Sequence, residues 1–335
     1  MTTTPAIRIP FTGPLPPAII VPPSARAIAG AIDAVSAFLT APPSLHLRGV
    51  DVGRHSQTVL LTGAGISVAS GLSDYRGEQG TYRRNKSYRP IYFHEFATRH
   101  ESRKRYWARS FVGWPGLVRA KPNSTHWAIR DLGAKGYISS VVTQNVDSFH
   151  SLAHPDLSTL ELHGYLRSVE GIEAEPGRRC RPAEGSIFDL PISVLLNLLG
   201  EAPTLKDGTK ARVEVESDGA WLPTSTAGIL KPAVTMFGEN IDPTVKAAAE
   251  EAIDDAGRLL VLGSSLATYS AWRLVERAHK RGMPIGIINV GGVRSEAMLF
   301  GQLGSDPDPS AHVRCSHPAQ SILPTVAADL PIHRL

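Results

Sequence analysis

Residues 61–76, LTGAGISVASGLSDYR, constrain this chain more than any other stretch, because they join a strand to a glycine turn and a charged loop. Thr58-Val59-Leu60-Leu61 is short and apolar, with β-branched residues at its start, and reads as a buried strand that ends at Gly63-Ala64-Gly65. With no Cβ at 63 and 65, backbone N–H groups can approach a diphosphate, and a helix opening near Ile66 would add its positive N-terminal end. The spacing departs from the G-x-G-x-x-G fingerprint of dinucleotide-binding dehydrogenases: Val68 stands where the third glycine belongs, and the next glycine is Gly71. Alone, the turn fits a plain strand-to-helix connection as well as a phosphate cradle. The continuation Gly71-Leu72-Ser73-Asp74-Tyr75-Arg76 favours the cradle, since it offers a guanidinium for anionic or ribose oxygens and a carboxylate to orient it.

Length and composition allow a large core: 335 residues, 42% apolar and 20% charged, arranged as one large domain with an inserted module or as two domains. A net charge of +4 does not argue for nucleic acid, and Arg99, Arg103, Lys104, Arg105 and Arg109 read as a solvated helical face. Two cysteines, Cys180 and Cys315, are too few for a disulfide framework or a four-cysteine metal site. No apolar run approaches the roughly eighteen residues that a membrane span requires. The N-terminal stretch carries Arg8 and Arg26, no acid before Asp33, and prolines that dictate an extended entry, which suits a targeting segment or a disordered tail. Ile28, Ile32, Val35 and Leu39 then predict an amphipathic helix over 24–39.

Strands predicted at 136–142, 258–262 and 284–290 alternate with helices at 243–256 and 271–281, the pattern of a doubly wound parallel sheet. Ligands of such sheets bind beyond the carboxyl ends of the strands, where this chain has Gly63-Ala64-Gly65, Thr143-Gln144-Asn145, Gly263-Ser264-Ser265 and Asn289-Val290-Gly291. Thr143-Gln144-Asn145-Val146-Asp147 and Glu161-Leu162-His163-Gly164 add two amides, a carboxylate and an imidazole. Each has a structural alternative, a helix cap for Asp147 and a satisfied core residue for His163.

Together these segments resemble the sirtuins, NAD-dependent protein-lysine deacylases. Gly63-Ala64-Gly65-Ile66-Ser67, Asp74-Tyr75-Arg76, Thr143 to Asp147, Leu162-His163-Gly164, Lys231-Pro232-Ala233-Val234-Thr235-Met236-Phe237-Gly238-Glu239, Gly263-Ser264-Ser265-Leu266 and Ile288-Asn289 follow the family's motifs in order. Residues 105–115 and 269–273 are similar to the class II, sirtuin-four-like branch, whose animal members are mitochondrial. The resemblance implies an α/β fold, a doubly wound Rossmann-like sheet over 24–169 and 229–335, with a Pro-rich segment at 1–23 and a smaller inserted lobe at 170–228. It implies a mitochondrial matrix location, with cytoplasm or nucleus as alternatives.

The resemblance assigns NAD as co-substrate to Gly63, Ala64, Gly65, Ser67, Asp74, Tyr75, Arg76, Gln144, Asn145, Asp147, Gly263, Ser264, Ser265, Asn289, Val290 and Cys315. His163 is the implied general base, acting with Asn145 and Asp147, and Val234, Phe237, Gly238, Glu239 and Tyr269 the implied seat of an acyl-lysine protein or peptide. The implied products are nicotinamide, free lysine and O-acyl-ADP-ribose. An ADP-ribosyltransferase using the same site and a non-catalytic NAD-binding interaction protein are the alternatives. One module departs from the family, whose members usually hold zinc with two Cys-x-x-Cys pairs: the four positions here are Gly171, Ala174, Pro223 and Thr226, so zinc is not expected. A short apolar helix at 192–199 would be that lobe's own core. Beyond Arg76, Tyr82 and Arg83 offer a hydroxyl and a guanidinium to an acidic acyl group, or form a solvated loop.

Overall fold

The computed structural model describes residues 15–42, 57–172, 229–303 and 307–333. Its strands, in chain order, are β1 (Thr58–Thr62), β2 (Ile138–Thr143), β3 (Thr159–Glu161), β4 (Gly164–Ile172), β5 (Ile229–Val234), β6 (Arg258–Leu262), β7 (Ile285–Ile288) and β8 (His312–Cys315). Six form one parallel sheet ordered β3-β2-β1-β6-β7-β8, while β4 pairs antiparallel with β5. The chain runs outward from β1 to β3, returns beside β1 as β6, and runs outward the other way, so the order reverses between β1 and β6. Crevices form at such a reversal because connections leave to opposite faces there.

Both faces of the sheet are covered, which is why β1 and β6 are buried at every position. Leu60, Val141, Leu260 and Val313 face a layer containing the helices Ile28–Thr40, Ser124–Ala134 and Leu323–Asp329. Val59, Leu61, Leu259 and Val261 face the helices Pro243–Asp254 and Tyr269–Lys280. The first helix starts later than its sequence pattern suggests, and of the expected apolar positions Val35 and Leu39 are buried and Ile32 packs against the same core, while Ile28 is 47% exposed and Ala31, Ala34 and Phe38 complete the buried stripe. The helix expected near Ile66 is a 3-10 turn, Ala64–Ser70, closed by Gly71 in the left-handed region. The basic run lies on the helix His100–Arg119 and is not wholly a solvated face: Arg103 donates to the carbonyls of Phe96 and Ala97, and Arg109 to that of Arg89.

Strands β4 and β5 carry the chain away from the sheet and back, over a small core of Ile91, Phe96, Val234 and Met236. Gly164 opens β4 at φ +72°, and a Cβ there would lie 2.1 Å from the Ala233 carbonyl oxygen, so the glycine after His163 is required by the crossing of the two strands. Gly171 pairs with Leu230 in this ribbon. Ala174, Cys180, the 192–199 helix, Pro223 and Thr226 lie outside the described residues. Among the described residues no group of three or more His, Cys, Asp or Glu is placed to hold a metal ion, and no helix is long and apolar enough to cross a membrane. The four positions expected to bear thiols carry none, so these residues do not fit the family's zinc site.

Candidate active site at the strand reversal

Past the last residue of each central strand, the backbone takes one more hydrogen bond from its neighbour. Gly63 donates to the Leu262 carbonyl, Gln144 to Thr62, Gly263 to Ile288 and Asn289 to Cys315, at 2.9–3.1 Å. These bonds set the four strand ends side by side along one cleft of about 2240 Å³. Every site residue expected from the sequence lines that cleft except Cys315. The Cys315 thiol is in the core, where burial pushes it up to about 12, and the residue supports the cleft through its carbonyl, which accepts from Asn289.

The glycines act by letting two loops touch. Gly65 donates to the Gly263 carbonyl at 2.9 Å, and a Cβ on Gly65 would lie 2.8 Å from that oxygen. Gly263 sits at φ +58°, with room for a Cβ denied by the Ile66 amide. The amides of Gly63 and Gly65 are occupied by β6 and its loop, and the missing Cβ atoms serve the contact with that loop, since a Cβ at either glycine would meet Gly263 or Ser264. The close-set turn this contact allows, with only the small side chains of Ala64, Ser264 and Ser265 beside it in the cleft, fits the diphosphate of a dinucleotide.

Beside that turn the β2 loop presents interlocked polar side chains. Gln144 Nε2 donates to Ser264 Oγ at 2.8 Å and to the Thr62 carbonyl at 3.2 Å, while its Oε1 accepts from Thr268 Oγ1 at 3.1 Å. Asn145 Nδ2 donates to Ser67 Oγ at 3.2 Å, and Ser67 Oγ donates to Asp147 Oδ2 at 2.7 Å. Asp147 Oδ1 accepts from the Phe149 amide at 3.0 Å, so the capping alternative and the site reading both hold, one per oxygen. Desolvation raises the Asp147 pKa, opposed by those two hydrogen bonds. His163 Nδ1 lies 3.1 Å from the Gln144 carbonyl, and desolvation pushes its pKa below the ordinary range. At neutral pH the ring is uncharged with its basic nitrogen toward the cleft.

The loop over this end folds on itself. Asp74 Oδ1 accepts from the Gly77 amide at 3.0 Å, and its carbonyl accepts from Thr81. Arg76 stacks its guanidinium 5.1 Å from the centre of the Tyr82 ring. On the opposite wall Phe237 accepts from the Phe93 amide, Gly238 turns at φ +80°, and Glu239 accepts from the Met236 amide at 2.8 Å. Glu239 also takes the fully buried Lys231, which bonds Glu170 at 2.8 Å and the Val234 carbonyl at 2.6 Å. This lysine pins the turn to the ribbon. Tyr269 stands exposed at the start of its helix and lines the same cleft.

At the far end Asn289 and Val290 border a loop held by an ion pair that sequence reasoning missed. Glu296 and Arg314 are both buried, Arg314 Nε donating to Glu296 Oε1 at 2.6 Å. Arg314 also donates to the carbonyls of Asn289 and Cys315, and Glu296 accepts from the amides of Val293 and Ile19. Ser270 and Thr268, which hold His163 and Gln144, were missed as well. The only signal was two hydroxyls opening a helix beside a strand end.

A model of the Sir2 family matches residues 63–270. Among similar proteins is the NAD-dependent protein deacylase SIR4 of Batrachochytrium dendrobatidis, 42% identical over 73% of this chain and 84% of that protein. NAD-dependent protein deacetylase 2 of Bradyrhizobium diazoefficiens is 35% identical over 74% of this chain and 89% of its own length. A structure described as the basis for the mechanism and regulation of Sir2 enzymes superposes with a TM-score of 0.59 at 25% identity, covering 89% of this chain and 96% of that one. Motif order, the strand reversal with its cleft and these likenesses agree: the chain belongs to the Sir2 family.

Proposed function

We propose that this protein is an NAD-dependent protein acyl-lysine deacylase of the class II, sirtuin-four-like branch. The observation that carries the reading is the neutral imidazole of His163, its Nδ1 committed to the Gln144 carbonyl, in the same cleft as the glycine turn and the Ser67-Asn145-Asp147 cluster. The names of the relatives, deacylase and deacetylase, support it.

NAD, when bound, supplies the ribose carbon that receives the acyl oxygen and the nicotinamide that leaves. Gly63, Ala64, Gly65, Ser264 and Ser265 line the diphosphate stretch, and Asn289 and Val290 the adenosine end. Asp147, kept ready as an acceptor by Ser67 and the Phe149 amide, takes the nicotinamide amide. Gln144 and Asn145 orient the ribose hydroxyls and a water, and Arg76 closes the loop over them. Holding both reactants in one geometry is the main catalytic resource of such a site. His163 Nε2 removes the ribose hydroxyl proton, allowing the acyl group to migrate to the sugar. The Val234 to Glu239 edge and Tyr269 seat the peptide as an added strand, which reads its backbone more than its sequence. A mitochondrial location belongs to the same reading.

The test is incubation with NAD and an acetyl-lysine peptide, reading nicotinamide and O-acyl-ADP-ribose by mass. Equal yields are expected, and His163→Ala should cut them at least about a hundredfold while NAD still binds. Undiminished nicotinamide release from His163→Ala would overturn the assignment, and ADP-ribose found on protein would move it to transfer.

A further inference from the structure

The nitrogen that His163 turns toward the cleft already has a partner from this chain. A carbonyl only accepts, so the Gln144 oxygen at 3.1 Å fixes the proton on Nδ1 and leaves Nε2 with its lone pair. Nε2 lies 2.8 Å from Ser270 Oγ, so that hydroxyl donates to it. Ser270 is in the first turn of the helix Tyr269–Lys280, and the residue that should cap this helix is Thr268. A threonine there usually bonds its own helix's amides. Thr268 makes no such bond and reaches Gln144 Oε1 instead. One helical turn thus gives two hydroxyls to the site, one to His163 and one to the residue whose carbonyl sets the His163 tautomer.

We propose that Ser270 is a positioning residue for His163, holding the ring in its working orientation until the ribose hydroxyl arrives and accepting from the imidazolium whenever the ring is protonated. The proposal rests on the deacylase reading, which makes His163 the base. No bond to Ser270 forms or breaks: its O–H points at the bare Nε2 of the neutral ring and rotates away when Nε2 bears a proton, which in turnover comes from the ribose hydroxyl. A hydrogen bond from a charged donor is stronger than one to a neutral ring, so the serine favours the protonated form and keeps the buried imidazole basic enough to act. The charged groups lining the same cleft are Asp147, Arg76, Glu239 and Arg273, with Asp74, Glu78, Arg83, Lys86, Arg109 and Lys246 further along it, and all remain when the serine is changed.

Ser270→Ala should lower kcat/KM for the acyl peptide about tenfold, the scale of one ordinary hydrogen bond. It should also move the acid limb of the pH profile to lower pH and leave the KM for NAD within about threefold. Ser270→Thr, which keeps the hydroxyl, should restore both rate and limb. Imidazole NMR of the full-length protein without substrate should show His163 titrating at lower pH in Ser270→Ala than in wild type. A slower Ser270→Ala with an unmoved acid limb and unmoved titration would reduce the serine to a structural role and overturn the proposal, as would an unchanged rate. If His163→Ala itself stays active, the reading beneath the proposal fails instead.

Discussion

The two ends of the cleft are made of different materials. At the β2 end the surface is side chains, Gln144, Asn145, Asp147 and His163, each held by hydroxyls of Ser67, Ser264, Thr268 or Ser270 that can donate or accept. At the β7 and β8 end the surface is the loop from Asn289 to Gly292, whose carbonyls at Asn289 and Gly291 are held from beneath by the Glu296–Arg314 pair. Chemistry needs partners that exchange protons, and hydroxyl networks permit that exchange. Recognition of an adenosine needs only a fixed contour. A buried ion pair fixes one firmly when every donor and acceptor is used, as it nearly is here.

The comparison breaks first, and by the largest amount, at Glu296. Glu296→Gln strands the buried Arg314 charge and should cost about 3–5 kcal/mol, lowering Tm on the order of 10 °C. Because the damage is at the recognition end, KM for NAD should rise while kcat at saturating NAD stays near wild type. Differential scanning calorimetry beside initial rates checks both. A change in kcat that outweighs the change in Tm would show that the two ends are not separable.

Acid should act next, through the floor of the chemical end. Asn145 rests on Thr143 Oγ1, which accepts from Thr62 Oγ1 at 2.8 Å, and Thr62 Oγ1 lies 2.9 Å from His150 Nε2. The one proton of Thr62 goes to Thr143, so His150 Nε2–H donates to Thr62, and His150 Nδ1 accepts from His154 Nε2–H at 2.9 Å. His126 packs edge-on at 5.2 Å. Burial lowers all three pKa values, that of His126 to about 4. A folded state with lowered histidine pKa values is at full stability above about pH 6.5 and loses it as pH falls, because the unfolded chain takes up protons that the fold refuses. His126 alone should remove about 2 kcal/mol by pH 5. Thermal melts should therefore show Tm falling between pH 7.5 and 5, above the range where most carboxylates protonate. A flat Tm over that interval would mean that the three rings are not held neutral.

The same contrast explains what the sequence discloses. Strands β1, β6 and β7 are legible as apolar runs because both faces are covered, and their polar ends mark the cleft. Strand β8 is not, since His312-Val313-Arg314-Cys315 carries an arginine whose partner, Glu296, lies in another element. In the first helix Val35 and Leu39 face the core as their spacing says, and only Ile28 misleads, because the alanines Ala31 and Ala34 complete the buried stripe. At the chemical end the residues are legible as motifs, but the hydroxyls that hold them come from distant segments, and pairings at long sequence separation leave no local pattern.

The smallest effect is expected at Arg83, on the rim of the chemical end. Sequence pairs it with the Tyr82 hydroxyl as a receiver of acidic acyl groups. Tyr82 is only 8% exposed, lies under Arg76 and against Tyr88, and its hydroxyl is buried without a partner, with burial pushing its pKa to about 12. Tyr82 lines the cleft, but its hydroxyl is covered, so the carboxylate of an acidic acyl group is left with Arg83 as its receiver on this rim. Arg83 itself lines the cleft with an exposed side chain. Exposed ion pairs contribute about 0.2–1 kcal/mol, so Arg83→Ala should reduce kcat/KM for a glutaryl-type peptide by at most about fivefold and leave the acetyl peptide unchanged. Acetyl, lipoyl and glutaryl-type peptides compared side by side in both proteins measure this. A loss well beyond tenfold confined to the acidic peptide would place Arg83 in a desolvated pair and extend the side-chain-built end of the cleft out to its rim, whereas equal losses on all three would assign the arginine to the loop alone.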